Sequence, residues 1–263
     1  MKSYLSVFRL RLRMELQYRG AMLGGILCQV FFGLILIALY RTLYASRPQA
    51  LPLESVVTYV WLQQAFFRMV LSSDDELMDK IRTGGIAYDL CRPVSLYGFY
   101  YARIAAMKLT GSAMRAVPML VFAALLPKGW NIAPPASIPA AALGLCSLTL
   151  GLLCVTALEN ISMGFTMRTL DFRGIRAVMN LLMTLLCGNI LQLTLFPDSW
   201  QKVITLLPYA QLLDAPIRLY TGQYGMDAAI RVIGLQAGWT LLLILLGTLL
   251  WRRNRSRLTV QGG

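Results

Sequence analysis

Residues 21–43 read AMLGGILCQVFFGLILIALYRTL, and no charged side chain occurs between Ala21 and Tyr40. About 20 apolar residues in a helix cross the ~30 Å hydrocarbon core of a bilayer. Apolar runs of this length are rare in soluble domains, so the run directs the chain into lipid. Further stretches follow. Residues 53–73 qualify with interruptions at Gln63, Gln64 and Arg68, and residues 104–126 with interruptions at Lys108 and Arg115. Residues 137–163, 177–196 and 229–251 complete the set. The sequence therefore predicts one all-α integral membrane domain over residues 1–263 with six transmembrane helices. The stretch PKGWNIAPPASIP is a turn between spans three and four, because its prolines cannot continue a helix.

Composition agrees with this class. Hydrophobic residues make up 57% and charged residues 14%, against about 25% charged in soluble domains. The net charge of +13 could serve nucleic acid, but the basic residues flank apolar runs and do not gather on one polar face. They therefore report topology, and no nucleic-acid partner is expected. Sixteen of the 25 Lys and Arg lie in the N-terminal segment, the loops after spans two and four, and the C-terminal tail. Six (Arg41, Arg47, Lys128, Lys202, Arg218 and Arg231) lie on the opposite side. The bias makes both termini cytoplasmic, together with residues 74–103 and the tail 252–263, and makes residues 197–228 external.

Residues 1–20 do not form a signal peptide, because basic residues continue to Arg19 and no small-residue cleavage site follows. Leu5, Phe8, Leu12 and Leu16 recur at helical spacing, which suits a helix lying in contact with membrane lipid at the interface. A cytoplasmic extension of the first span fits the same pattern.

The chain has no histidine, which removes His-based acid–base chemistry and most catalytic zinc sites. Its five cysteines form no CxxC pair, so neither a metal site nor a disulfide framework is indicated. No GxxxxGK[ST] motif occurs, so the chain is not expected to hydrolyse nucleotides through a P-loop. Neither catalytic residues nor a bound cofactor are expected.

The loop between spans two and three is long for a connection between helices. It opens on SSDDELMDK, a helix start with an N-cap and acids in the first turn. Gly84 and Gly85 allow a sharp break, IAYDL can form a short amphipathic helix, and Pro93 stops it at Arg92. Tyr97, Phe99, Tyr100 and Tyr101 then suit the headgroup zone. Such a segment presents Lys80, Arg82, Asp89 and Arg92 outward; a plain solvated loop is the competing reading.

The stretch GGIAYDLCRPVSL resembles the G-x-I-A-x-x-L-x-R-P segment of bacterial ABC-2-type transporter permeases. CGNILQLTLFPDSWQKVITLLPYAQLLDAPIRLYTG is similar to that family's stretch from span five through F-P to L-P-[FY]…P-x-x-x-Y-x-G. With six spans and cytoplasmic termini, the resemblance covers essentially the whole chain. It implies a permease subunit in the bacterial inner membrane, exporting a lipid, glycan, peptide or drug-like molecule. It also implies a second permease chain, identical or related, and a separate soluble P-loop ATPase that binds ATP and Mg. The loop after span two would then be a coupling helix seated on that ATPase. Gly84 and Gly85 would set its angle, Ile86 and Leu90 would seat it, and Lys80, Arg82, Tyr88, Asp89 and Arg92 would contact the partner.

Residues 197–228 are apolar but broken by Pro208, Pro216 and Gly222. They suit a re-entrant helical hairpin shielded from lipid, with Tyr209 and Asp214 facing a translocation route; interfacial helices without substrate contact are equally compatible. Charges inside spans are functional candidates. Arg68, Lys108 and Glu159 lie close enough to span ends to snorkel, whereas Arg115 is deeper and is expected to point to a partner or cavity. Asn189 and Gln192 are candidates for the same route, although bonding between helices is the commoner use of such amides. Gly20/Gly24, Gly144/Ser147/Gly151 and Gly234/Gly238 form small-residue stripes, for packing within the chain or across a dimer. A secondary carrier, the main alternative, would need internal repeats and mid-membrane acids. A membrane scaffold without transport activity is the other.

Overall fold

The computed structural model describes residues 2–17, 19–46, 51–91, 93–169, 171–189 and 192–255. The helices are α1 (Lys2–Glu15), α2 (Arg19–Ser46), α3 (Leu53–Leu71), α4 (Asp75–Arg82), α5 (Ala87–Leu90) and α6 (Leu96–Leu125). After them come α7 (Ile138–Thr169), α8 (Arg173–Leu186), α9 (Asp198–Ile204), α10 (Asp214–Tyr220) and α11 (Met226–Arg255). Among the described residues there is no strand. A short 3-10 turn, Leu193–Leu195, lies between α8 and α9.

Among the described residues, four helices are long and apolar enough to cross a membrane: Met22–Ser46, Leu96–Leu125, Ile138–Thr169 and Met226–Asn254. Two further expected spans take other forms. The helix at residues 53–73 is α3, and its interruptions are explained by enclosure. Gln63 and Gln64 are buried beside Trp61 and Ala65, so much of this helix faces protein and does not need a uniformly apolar surface. The uninterrupted helix expected at 177–196 is not present. α8 ends at Leu186 after 14 residues, or about 21 Å at 1.5 Å per residue, short of the hydrocarbon thickness. Gly188 adopts φ +78°, and a Cβ there would overlap the Tyr59 hydroxyl. The Gly188 carbonyl accepts a hydrogen bond from the Tyr59 hydroxyl, 129 residues away, at 3.2 Å.

Three apolar clusters stack through the bundle. Ile37, Val60, Trp61, Ala116 and Met119 join α2, α3 and α6. Met69, Cys154, Val155, Met183, Leu212 and Leu243 join α3, α7, α8, α11 and the segment before α10. Leu77, Ile81, Ile86, Tyr100, Met163 and Trp251 join α4, α6, α7 and α11. Small residues set the close approaches on α7. A Cβ at Gly151 would lie 2.6 Å from the Leu212 carbonyl oxygen, and one at Gly144 would lie 3.2 Å from Tyr220 Cβ. Ser147 donates to Gln236 Oε1 at 2.8 Å. This stripe therefore packs within the chain, whereas Cβ positions at Gly20, Gly24, Gly234 and Gly238 meet nothing within 4 Å. The first half of α7 holds α10, and its second half holds α4 through Met163 and Met167. α4 and α10 thus sit at opposite ends of the bundle.

Candidate transport-coupling site

α4 begins where Asp74 accepts a hydrogen bond from the Leu77 N–H at 3.2 Å, satisfying one of the free donors at a helix start. Leu77, Met78 and Ile81 are buried, so one face of this short helix is seated on the bundle. The helix closes with Thr83, whose N–H and hydroxyl both donate to the Asp79 carbonyl, at 2.9 and 2.8 Å. Gly84 then takes φ +76°, the Ile86 N–H returns to Lys80 O at 3.1 Å, and α5 runs for a single turn.

The two faces of α5 are unlike. Ile86, immediately before it, is 1% exposed, and Tyr88 is 84% exposed. Asp89 was expected to face outward, but it is buried. Its carboxylate accepts from the Tyr100 hydroxyl at 2.5 Å and lies 3.9 Å from Lys80 Nζ, which keeps the charge inside. Leu90 does not share the seat of Ile86; it stands at the exposed edge, at 36%. Gly85 is not the residue that needs to be glycine, because its Cβ would meet nothing nearer than 3.7 Å; the left-handed position is Gly84. Arg82 is exposed and paired with Asp79 at 3.5 Å. Arg92 lies outside the described residues.

Behind this face, charged side chains bind the start of α4 to α1, α6, α7 and α8, and through α1 to α3. Arg103 of α6 reaches Asp74 Oδ2 at 2.6 Å and Glu76 Oε2 at 2.6 Å. That bond from Arg103 holds the Glu76 carboxyl below its usual range. Arg11 of α1 pairs with Glu76 at 3.3 Å and with Glu15 at 3.4 Å, and Glu15 pairs with Arg68 of α3 at 3.3 Å. Arg176 of α8 pairs with Asp75. Lys108 of α6, 1% exposed, pairs with Glu159 of α7 at 2.8 Å and donates to Ser72 O at 2.6 Å and Met69 O at 3.2 Å. Glu159 Oε1 also accepts the Asp74 N–H at 2.8 Å. Lys108 and Glu159 therefore do not snorkel but pair inside the fold, whereas Arg68 pairs with Glu15 on the wall of a partly open cavity. The sequence singled out neither Arg103 nor Asp74 for this network. Their charge is visible in the sequence, but their pairing depends on chain reversals it does not display.

The other candidates divide between the two ends. Asp214 is 1% exposed and accepts from the Tyr59 hydroxyl at 2.8 Å, with Arg218 Nη1 at 3.5 Å. It was expected to face a route, but here it is enclosed by its own chain. Asn189 and Gln192 are buried nearby in the sequence, and Gln192 Nε2 donates to Gln223 Oε1 at 3.2 Å. The Tyr209 hydroxyl lies 4.0 Å from Met179 Sδ. Arg115 belongs to the other end, where it lines a cavity with Arg11, Glu15, Arg68 and Glu76.

A comparison with known families decides what kind of protein carries this arrangement. The family described as ABC-2 family transporter protein matches residues 25–262, which contain everything from α3 to α11 and most of α2. The chain belongs to the ABC-2 transporter family. No curated protein matches it. Family membership and the four long apolar helices together make it a multi-pass membrane protein of a transporter. In an ABC-2 chain, the locked segment α4–α5 lies within the matched range, whereas α1 and the first turns of α2 precede it.

Proposed function

We propose that the chain is the membrane-spanning permease subunit of an ABC-2-type transporter, driven by a separate soluble ATP-binding subunit. The α4–α5 segment is the coupling element. One observation carries the assignment: a fully presented aromatic, Tyr88, stands on a turn whose other side is fixed to the bundle through Ile86 and Asp89. Large aromatic side chains are favoured anchors at interfaces, and a rigid support is what mechanical transmission needs. ATP and Mg are handled by the partner; this chain makes and breaks no bond.

In this reading the chain crosses the bacterial inner membrane six times, with α3 as an enclosed crossing, the α8 region, whose Val178, Leu181 and Leu185 are exposed, as another, and both termini cytoplasmic. The excess of Lys and Arg on the α4–α5 side supports that orientation. Two such chains, identical or related, enclose the pathway, and the cargo is an exported lipid, glycan, peptide or drug-like molecule.

The test is co-purification with a soluble ATP-binding subunit co-expressed from the same source, together with ATP hydrolysis by the complex. Tyr88→Ala touches no span, so it should insert normally. It should weaken association by about 2 kcal/mol, roughly thirtyfold, as for an interface anchor. Undiminished association and undiminished hydrolysis in this variant would mean that α5 is an ordinary surface turn.

A further inference from the structure

The cavity between α1, α2, α3, α4 and α6 holds about 360 Å³ and is partly open. Its walls carry three cations, Arg11, Arg68 and Arg115, against two carboxylates, Glu15 and Glu76. The carboxylates are already taken: Glu15 by Arg11 and Arg68, Glu76 by Arg11 and Arg103. Arg115 has no carboxylate within ion-pair distance among the described residues. An uncompensated guanidinium within a membrane domain is costly unless something anionic meets it.

Two glycines make room for the guanidinium groups. A Cβ at Gly25 of α2 would stand 2.5 Å from Arg115 Cζ, and one at Gly111 of α6 would stand 2.5 Å from Arg68 Nε. One turn beyond Gly25, Gln29 is 6% exposed and both its amide atoms lack a hydrogen-bond partner. The unneutralised charge and the unpaired amide therefore mark the same side of α2. The remaining wall is apolar and adaptable, formed by Met14, Met22 and Met114. The cavity thus combines anion-binding groups with a surface suited to hydrocarbon, and a bare oxyanion would use only the first.

We infer that this cavity binds the phosphate headgroup of an anionic lipid, with Arg115 and Arg68 on the phosphate oxygens and the three methionines against the glycerol and first acyl carbons. The guanidinium fork matches phosphate geometry. The inference goes beyond the permease assignment, since binding needs neither nucleotide nor an ATPase, and each can fail without the other.

The experiment measures binding of three probes to the full chain in neutral detergent without ATP: dioctanoyl-phosphatidylglycerol, dioctanoylglycerol and inorganic phosphate. The first should bind at least about tenfold more tightly than either of the others, as expected for a charge-assisted contact supported by apolar burial. Arg115→Gln should weaken it by about tenfold, and Arg115→Lys, which keeps the charge but loses the fork, should fall between the parent and Arg115→Gln. Arg173→Gln, at an exposed arginine outside the cavity, should leave it unchanged. Gly25→Ala retains every charge but displaces the Arg115 guanidinium, so it should lower affinity in the same direction. If dioctanoylglycerol binds as tightly, if inorganic phosphate alone binds as tightly, or if both Arg115→Gln and Gly25→Ala bind as the parent does, the lipid-headgroup site is wrong.

Discussion

Gly84 holds φ at +76°, where a β-branched side chain clashes with its own backbone, whereas a Cβ at Gly85 would find its nearest neighbour, Lys80 O, at 3.7 Å. The two adjacent glycines should therefore respond differently to substitution. Gly84→Val should lower stability by about 1–3 kcal/mol and move α5 off its seat. Gly85→Ala should stay within about 0.5 kcal/mol of the parent. Thermal unfolding of both variants in detergent checks this, and equal losses would show that the turn does not depend on the backbone of Gly84. The paired glycines mark the break in the sequence, but nothing there says which of them carries it. Asp89 shows the same limit. Its charge suggests an outward side chain, and only the return of α6 brings the Tyr100 hydroxyl close enough to hold it inside.

Between elements, α6 and α7 are joined by a buried ion pair. Lys108 and Glu159, 1% and 5% exposed, join α6 to α7 and reach the carbonyls that end α3 and the N–H of Asp74. Removing one charge leaves the other unpaired in a buried setting, which costs about 3–5 kcal/mol, whereas removing both costs far less. Lys108→Met should therefore lower the unfolding temperature sharply, and Lys108→Met with Glu159→Gln should recover most of the loss. A double variant no better than the single one would mean that the pair does not hold the elements together. Helices α2, α6, α7 and α11 were legible from apolarity, because their exposed faces must match lipid. α3 was only faintly legible, because an enclosed helix can carry Gln63 and Gln64. The end of α8 was not legible, because residues 177–196 carry no charge and read as one span, while the left-handed turn at Gly188 exists only in the folded backbone.

For the whole molecule, the proposed orientation makes α5 the cytoplasmic handle. α4 and α10 lie at opposite ends of α7, so in the proposed orientation residues flanking them, Tyr88 and Ser199, would report on opposite sides of the membrane. Both residues are exposed. The measurement is labelling by a membrane-impermeant maleimide in sealed vesicles of both orientations, after replacement of the five native cysteines. Tyr88→Cys should react in inverted vesicles alone and become protected when the ATPase subunit is bound, while Ser199→Cys should react in right-side-out vesicles. Labelling of Tyr88→Cys from the external side, or unchanged reactivity with the ATPase bound, would contradict the account.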